Sequence, residues 1–183
     1  RARDPHNPSD DLKALLDYLK IEKAHIVGVA LGGNVALNFA ATHPERVLKI
    51  VAADTNPDGF NDLTPQLKAV VNKIVDLASH QGWHDEQQEV WLHSPLMRLY
   101  AADDKTIINL SEMIADYHGD HFINPRIDPS FGTPTTLDLV SSIRAPTLLL
   151  VGEKDEESFH RVADIMVQKI TNVRKAVIKG AGH

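Results

Sequence analysis

The stretch His25-Ile-Val-Gly-Val-Ala-Leu-Gly-Gly-Asn-Val-Ala-Leu-Asn-Phe-Ala-Ala-Thr-His43 decides the reading of this chain. Its first half, His25 to Val29, is a short apolar run bounded by polar residues, as expected of a buried strand. Its second half, Asn34 to His43, reads as a helix stopped by Pro44. Between them lies a tight turn, Gly28-Val-Ala-Leu-Gly-Gly33. Working outward, Leu12, Leu15, Leu16 and Leu19 recur at helical spacing, with Asp10 as the expected N-cap. Arg46 to Ala53 reads as a second strand ending at Asp54. Helix, strand, glycine turn, helix, strand is the alternation of a parallel sheet with flanking helices.

From Asn56 to about Thr136 the pattern changes. Leu67, Val70, Val71, Ile74, Val75 and Ala78 form one helical stripe, and Ile107, Leu110, Ile114 and Tyr117 another. No strand-like run interrupts them. The alternation then resumes: Thr147 to Val151 as a strand, Gly152 to Asp155 as a turn, Phe159, Val162, Ala163, Met166 and Ile170 as a helix stripe, and Lys175 to Lys179 as a last strand. The expected organisation is an α/β core at 1–56, a helical cap inserted at 57–136, and the second part of the core at 137–183.

The chain has 183 residues, with 19 Lys and Arg, 25 Asp and Glu and a formal net charge of −6. No basic tract points to nucleic acid. The most apolar stretch, Ile26 to Ala41, is broken by Asn34 and Asn38 and falls short of the about 18 apolar residues of a membrane span. Nothing near Arg1 resembles a signal peptide. The chain has no cysteine, which excludes disulfides, thiolate metal sites and a thiol nucleophile, and fits a reducing compartment such as the cytoplasm.

Three chemistries compete for the glycine turn. A dinucleotide fingerprint fails on spacing, because the glycines fall at 28, 32 and 33. A phosphate loop fails because Asn34, not Lys, follows Gly33. The nucleophile elbow G-x-S-x-G fits at Gly28 and Gly32, with position 30 in the middle. That elbow presents its central side chain at the strand's C-terminal end. The amide of the next residue, here Leu31, points at a developing oxyanion. Position 30 is alanine, however, and Ala30 has no nucleophilic atom. Read alone, the turn also fits a tight α/β connection with no chemistry.

Asp155 follows the strand 147–151 and His183 follows the strand 175–179. In a parallel sheet all strand C-termini share one edge, where α/β ligand sites form. Position 30, Asp155 and His183 are therefore expected together, in the order nucleophile, acid, histidine. Asp54 is expected at the same edge, either supporting the site or serving a turn. Asp116-Tyr-His-Gly-Asp-His121 mixes metal-ligand types at short spacing. Gly119 breaks the helix that would align His118 with His121, so no metal is expected there.

With these segments in view, the chain resembles the α/β-hydrolase superfamily, and within it the capped serine esterases and lactone hydrolases of the 3-oxoadipate enol-lactonase type. The resemblance rests on HIVGVALGGNVALNFAATHPERV, APTLLLVGEKD and VIKGAGH and covers nearly the whole chain. It implies Asp155 as catalytic acid, His183 as catalytic histidine, Leu31 as an oxyanion-hole amide, and serine where Ala30 stands. It implies an acyl-enzyme mechanism without cofactor or metal. The substrate would be a small apolar ester or lactone. In the helical insert, Trp83, Trp91, Tyr117, His121 and Phe122 are candidate pocket residues, although aromatic side chains there more often form the core of the cap. Homo-oligomerisation stays open, as does related chemistry on C–C bonds or epoxides.

The chain departs from the pattern in two places. Ala30 reads as an inactivating replacement of serine, because the acid, the histidine and the elbow glycines are all present. The alternative is a catalytically dead binding protein or receptor. Loss of the nucleophile costs a serine hydrolase about 10⁶ in turnover, so this chain is expected to be nearly inactive. The family also places strands before the first helix, one loop of which gives a second oxyanion amide, and a helix after the histidine. The fold is therefore expected to be incomplete at both ends and part of a longer polypeptide, with the strand at 25–29 exposed as an apolar edge.

Overall fold

The computed structural model describes residues 7–81, 85–97, 104–117 and 131–183. The elements are α1 (Pro8–Tyr18), β1 (Ala24–Val29), α2 (Leu31–Thr42), β2 (Val47–Ala53), α3 (Pro65–Gln81), α4 (Asp85–Leu92), α5 (Asp104–Asp116), α6 (Thr136–Leu139), β3 (Thr147–Gly152), α7 (Glu157–Lys169) and β4 (Val173–Ile178). The four strands pair in parallel in the order β1-β2-β3-β4. Among the described residues the segment between β2 and β3 contains helices and no strand.

The α/β-hydrolase arrangement of parallel sheet and flanking helices follows from where the apolar residues fall. Ile26 and Ile50 sit side by side in the sheet, as do Gly28, Ala52 and Leu149. These rows face the core, with Ala36, Leu37, Phe39 and Ala40 of α2 and Val162 and Met166 of α7. Both helices thus cover the same sheet face. The alternate rows, Val27 with Val51 and Leu148, and Val29 with Ala53 and Leu150, lie on the other face. There Val27 is 71% and Val29 55% exposed. A second apolar cluster joins Leu67 of α3 to Val151, Phe159 and Ala163, so the helical segment docks on β3 and α7.

The first helix departs from expectation at its start. Asn7, not Asp10, is the N-cap: its side chain accepts the Ser9 amide at 2.9 Å, and Pro8 takes the first helical position. Proline is favoured there because the donor it lacks has no partner in any helix. Of the leucine stripe, Leu16 is buried, Leu12 packs against the core, and Leu15 and Leu19 are each 52% exposed.

Two buried asparagines of α2 tie distant segments together. Ser9 Oγ donates to Asn38 Oδ1 at 2.7 Å, and Asn38 Nδ2 donates to Thr136 Oγ1 at 2.9 Å. With its amide assigned from the surrounding hydrogen bonds, Asn34 Nδ2 donates to Thr136 Oγ1 (3.0 Å) and Asp58 Oδ1 (3.3 Å), and its oxygen accepts the Asp58 amide (3.2 Å). Asp58 Oδ1 also accepts the Thr136 amide at 3.1 Å. The chain entering the helical segment at 58 and leaving it at 136 is thereby held at one point on α2. Each of these groups would cost free energy if buried without its partner.

Asn38→Ala leaves the buried Ser9 hydroxyl without its acceptor, so a loss of about 2 kcal/mol is expected by urea unfolding. Lys13→Ala removes only the exposed pair with Asp17; it should change stability by less than about 0.5 kcal/mol.

Candidate active site

Strand register places the site. Val29, Ala53, Leu150 and Ala176 lie in line across the sheet, so the residues that follow them emerge at one edge. Ala30, Asp54, Asp155 and His183 all come from these strand-end loops.

The turn at Ala30 is strained. Its φ is 49° and ψ −117°, a conformation that residues with a Cβ seldom adopt. The bend is held from several sides. The Ala30 amide donates to Ala53 O at 2.9 Å, and Ala30 O accepts the amides of Gly33 and Asn34 and, at 2.6 Å, the hydroxyl of Thr55. A Cβ on Gly28 would lie 2.1 Å from Gly32 O, and one on Gly33 would lie 2.6 Å from the Thr55 side chain. A Cβ on Gly32 would meet nothing within 4 Å. Gly32 therefore supplies the backbone that crowds Gly28, while the two positions that exclude a side chain are 28 and 33. Leu31 is the first residue of α2, where a helix start leaves its amides without intrahelical acceptors.

The acid and the histidine meet directly. His183 Nδ1 lies 2.9 Å from Asp155 Oδ2, with side-chain exposures of 9% and 0%. Asp155 Oδ1 accepts the Glu156 amide at 2.6 Å. The His183 ring packs against Phe159, centroids 4.5 Å apart. The terminal loop is fixed by its backbone: Glu153 N donates to Ile178 O at 2.9 Å, Lys154 N to Ala181 O at 2.8 Å, and Gly180 N to Glu153 Oε2 at 2.8 Å. A Cβ on Gly152 would lie 2.2 Å from Gly182 O, so only glycine lets the two loops close on each other. This role of Gly152 is not visible in the sequence, since its neighbour lies thirty positions on.

Asp54 joins the cluster. Its Oδ1 accepts the Gly152 amide at 2.8 Å, and its φ is 43°. Ligand atoms of Asp54, Asp155 and His183 all lie within 4.8 Å of one another. Burial pushes the Asp54 carboxyl up to about 6; the Gly152 amide opposes this, Asp155 reinforces it, and the nearby His183 opposes it weakly. Three such groups could in principle ligate a cation. The 2.9 Å contact between His183 and Asp155 is a hydrogen-bond distance, shorter than two ligands spread around one zinc ion adopt.

Of the candidate pocket residues, Trp83, His121 and Phe122 lie outside the described residues, as does His118. Trp91 is half-buried on α4, and Tyr117, just past α5, is 37% exposed. Neither belongs to the strand-end loops. A cavity of about 530 Å³ lies at the opposite edge of the sheet, lined by residues preceding β1 and β2, among them Ile21, Lys23, Glu45 and Arg46. No helix among the described residues is long and apolar enough to cross a membrane.

A strained strand-to-helix turn, an acid and a histidine thus stand together at one edge of a parallel sheet. A family model described as "alpha/beta hydrolase fold" matches residues 7–183, and the chain belongs to that family. A putative 2-succinyl-6-hydroxy-2,4-cyclohexadiene-1-carboxylate synthase of Bacillus subtilis is 27% identical over 179 residues, 94% of this chain and 64% of its own length. A putative carbamate hydrolase, RutD, of a Caulobacter species is 33% identical over 103 residues, 55% of this chain and 35% of its own. The solved structure of MenH from S. aureus superposes with a TM-score of 0.77 at 22% identity, covering 96% of this chain and 66% of that one. A Nitrososphaera carboxylesterase superposes with a TM-score of 0.74 at 22% identity, covering 98% and 65%. The chain thus spans about two thirds or less of the length of each.

Gly28→Ala should cost about 3 kcal/mol or more, or prevent folding, because the added carbon meets fixed backbone. Gly32→Ala should be neutral or stabilising by up to about 1 kcal/mol, since it stands in a helix with open space. Thermal unfolding of the two variants side by side checks the contrast.

Proposed function

We propose that this site belongs to a serine-type hydrolase of carboxylic esters or lactones, seen here with alanine at the nucleophile position. The carrying observation is the 2.9 Å His183–Asp155 pair at the same sheet edge as a turn already bent into the elbow conformation at residue 30. The relatives named as hydrolases and esterases support the reaction class.

With serine at position 30, His183 would take the hydroxyl proton through Nε2, since Nδ1 is held by Asp155. Asp155 would fix the ring and stabilise the imidazolium formed. The Leu31 amide would meet the oxyanion of the tetrahedral intermediate. Collapse would give an acyl-enzyme on residue 30, and His183 would return its proton to the leaving alcohol. Water would repeat the sequence to release the acid. The helices between β2 and β3 would serve as a cap over this edge, with Trp91 and Tyr117 available to face an apolar substrate. The partner is a small apolar molecule, and the cytoplasm is the compartment proposed.

A second reading rests on Ala30 itself. A site that keeps its elbow turn, acid and histidine but has no nucleophile suits a binding protein for the same class of small molecule.

Ala30→Ser, assayed over a panel of esters and lactones, should raise hydrolysis about 10⁴- to 10⁶-fold, and adding His183→Ala should abolish the gain. No hydrolysis of any panel member would sink the enzyme reading. Saturable binding of such compounds by the unaltered chain would then support the binder.

A further inference from the structure

Acyl transfer at residue 30 gives no task to Asp54, although Asp54 stands where the two halves of the site meet. It is 9% exposed, and its φ of 43° lies in the left-handed region. Aspartate enters that region more readily than most residues. Strand register shows what this bend does. β2 and β3 pair from Ile50 with Thr147 to Ala53 with Leu150, and the Asp54 amide continues the ladder by donating to Leu150 O at 2.9 Å. In regular parallel pairing the next bond would run from the Gly152 amide to the main-chain oxygen of Asp54. Instead that amide donates to Asp54 Oδ1 at 2.8 Å. The side chain stands in for its own carbonyl, so the Gly152 N–H keeps an acceptor after the backbone has left the sheet.

Both halves of the site follow from this exchange. On one side, the chain leaving β2 carries Thr55 to the elbow. The Thr55 hydroxyl donates to Ala30 O at 2.6 Å, and its side chain lies against Gly33. On the other side, Gly152 starts the acid turn and receives the histidine loop. Its carbonyl accepts the Asp155 amide at 3.1 Å, and a Cβ on it would lie 2.2 Å from Gly182 O and 2.8 Å from Ala181 O.

We propose that Asp54 is a positioning residue whose side chain, by accepting the Gly152 amide, holds the Asp155–His183 pair in register with the turn at residue 30. The inference rests on the reading of Asp155 and His183 as the acid–histidine pair of a hydrolase. What the role requires is an accepting oxygen at one place, not a charge. Asp54 acts through Gly152, and Gly152 through the two loops that close on it. A nucleophile at residue 30 has to lie within hydrogen-bond reach of His183 for proton transfer. A misplacement of about 1 Å at such a contact can cost about 100-fold in rate.

The test compares Asp54→Asn, which keeps the accepting oxygen, with Asp54→Ala, which removes it. The first reporter is NMR of the His183 Nδ1 proton, whose low-field signal arises from the hydrogen bond to Asp155. That signal should be present in the unaltered chain, hold its position in Asp54→Asn, and be lost or moved upfield in Asp54→Ala. The second reporter is turnover with Ala30→Ser added. There Asp54→Ala should lower kcat about 10- to 100-fold with little change in KM, and Asp54→Asn should restore most of it. A His183 signal unmoved by Asp54→Ala overturns the proposal. Loss of the signal in both variants also overturns it, because an accepting oxygen is then not what positions the pair. Should Asp54→Ala fail to fold, Asp54→Glu takes its place: it keeps the charge but displaces the oxygen, so the signal should move, and an unmoved signal overturns the proposal. The NMR measurement needs no turnover. A His183 signal that responds as expected in a protein whose Ala30→Ser form hydrolyses nothing removes only the ester and lactone reading. Hydrolysis by Ala30→Ser that Asp54→Ala leaves undiminished removes only the role of Asp54.

Discussion

Helix α2 lies closer to the sheet than any side chain at position 28 would allow. Its first turn returns so close to β1 that a single added carbon at Gly28 would lie 2.1 Å from the Gly32 carbonyl. That approach fixes the turn at Ala30 and sets the start of α2. Further along the same helix, Asn34 and Asn38 hold the chain where it leaves the sheet for the helical segment and where it returns. One helix therefore positions the turn at Ala30 and anchors both stems of the segment lying between β2 and β3. Packing energy comes from Leu37, Phe39 and their neighbours, but orientation comes from glycine and asparagine.

The other half of the site depends on a second close approach, between Gly152 and the backbone of Ala181 and Gly182. It brings the terminal loop onto the turn that carries Asp155. Phe159 then supports the His183 ring, and the same phenylalanine packs with Leu67 of α3. Glu156 links the acid turn to Thr64 at the start of that helical segment, and Arg161 reaches Asp62 at 2.9 Å. The segment between β2 and β3 is thus joined to the acid loop by side-chain hydrogen bonds as well as by apolar packing.

Much of this was legible in the sequence because strand and helix periodicities are local. The runs at 25–29, 147–151 and 175–179 and the glycine turn between strand and helix suffice to put Ala30, Asp155 and His183 at one edge. What escaped was non-local. Gly33 excludes a side chain because Thr55 stands behind it, twenty-two positions away in the chain. Gly152 is needed only because residues 181–182 fold onto it. Asp54 read as a turn residue or a supporting acid, and only the folded geometry shows its carboxyl on the Gly152 amide and within 4.8 Å of Asp155 and His183. At the first helix, the acid at Asp10 was a weaker signal than Asn7 followed by proline, where the cap and the fixed φ act together. The exposure of Leu15 and Leu19 has the same origin, since periodicity marks a face but not what covers it.

The bend at residue 30 is made by a side chain with a single methyl group. Residue 30 itself brings no hydroxyl to it: Ala53, Gly33, Asn34 and the Thr55 hydroxyl hold the peptide on either side, and glycine removes the obstruction beneath it. Shape and reactivity are therefore separable here. The fold acts as a socket whose geometry forms around alanine, with no reactive group in it. A chain can gain or lose chemistry at this point through one side chain, while its framework, and any molecule that recognises that framework, is left undisturbed.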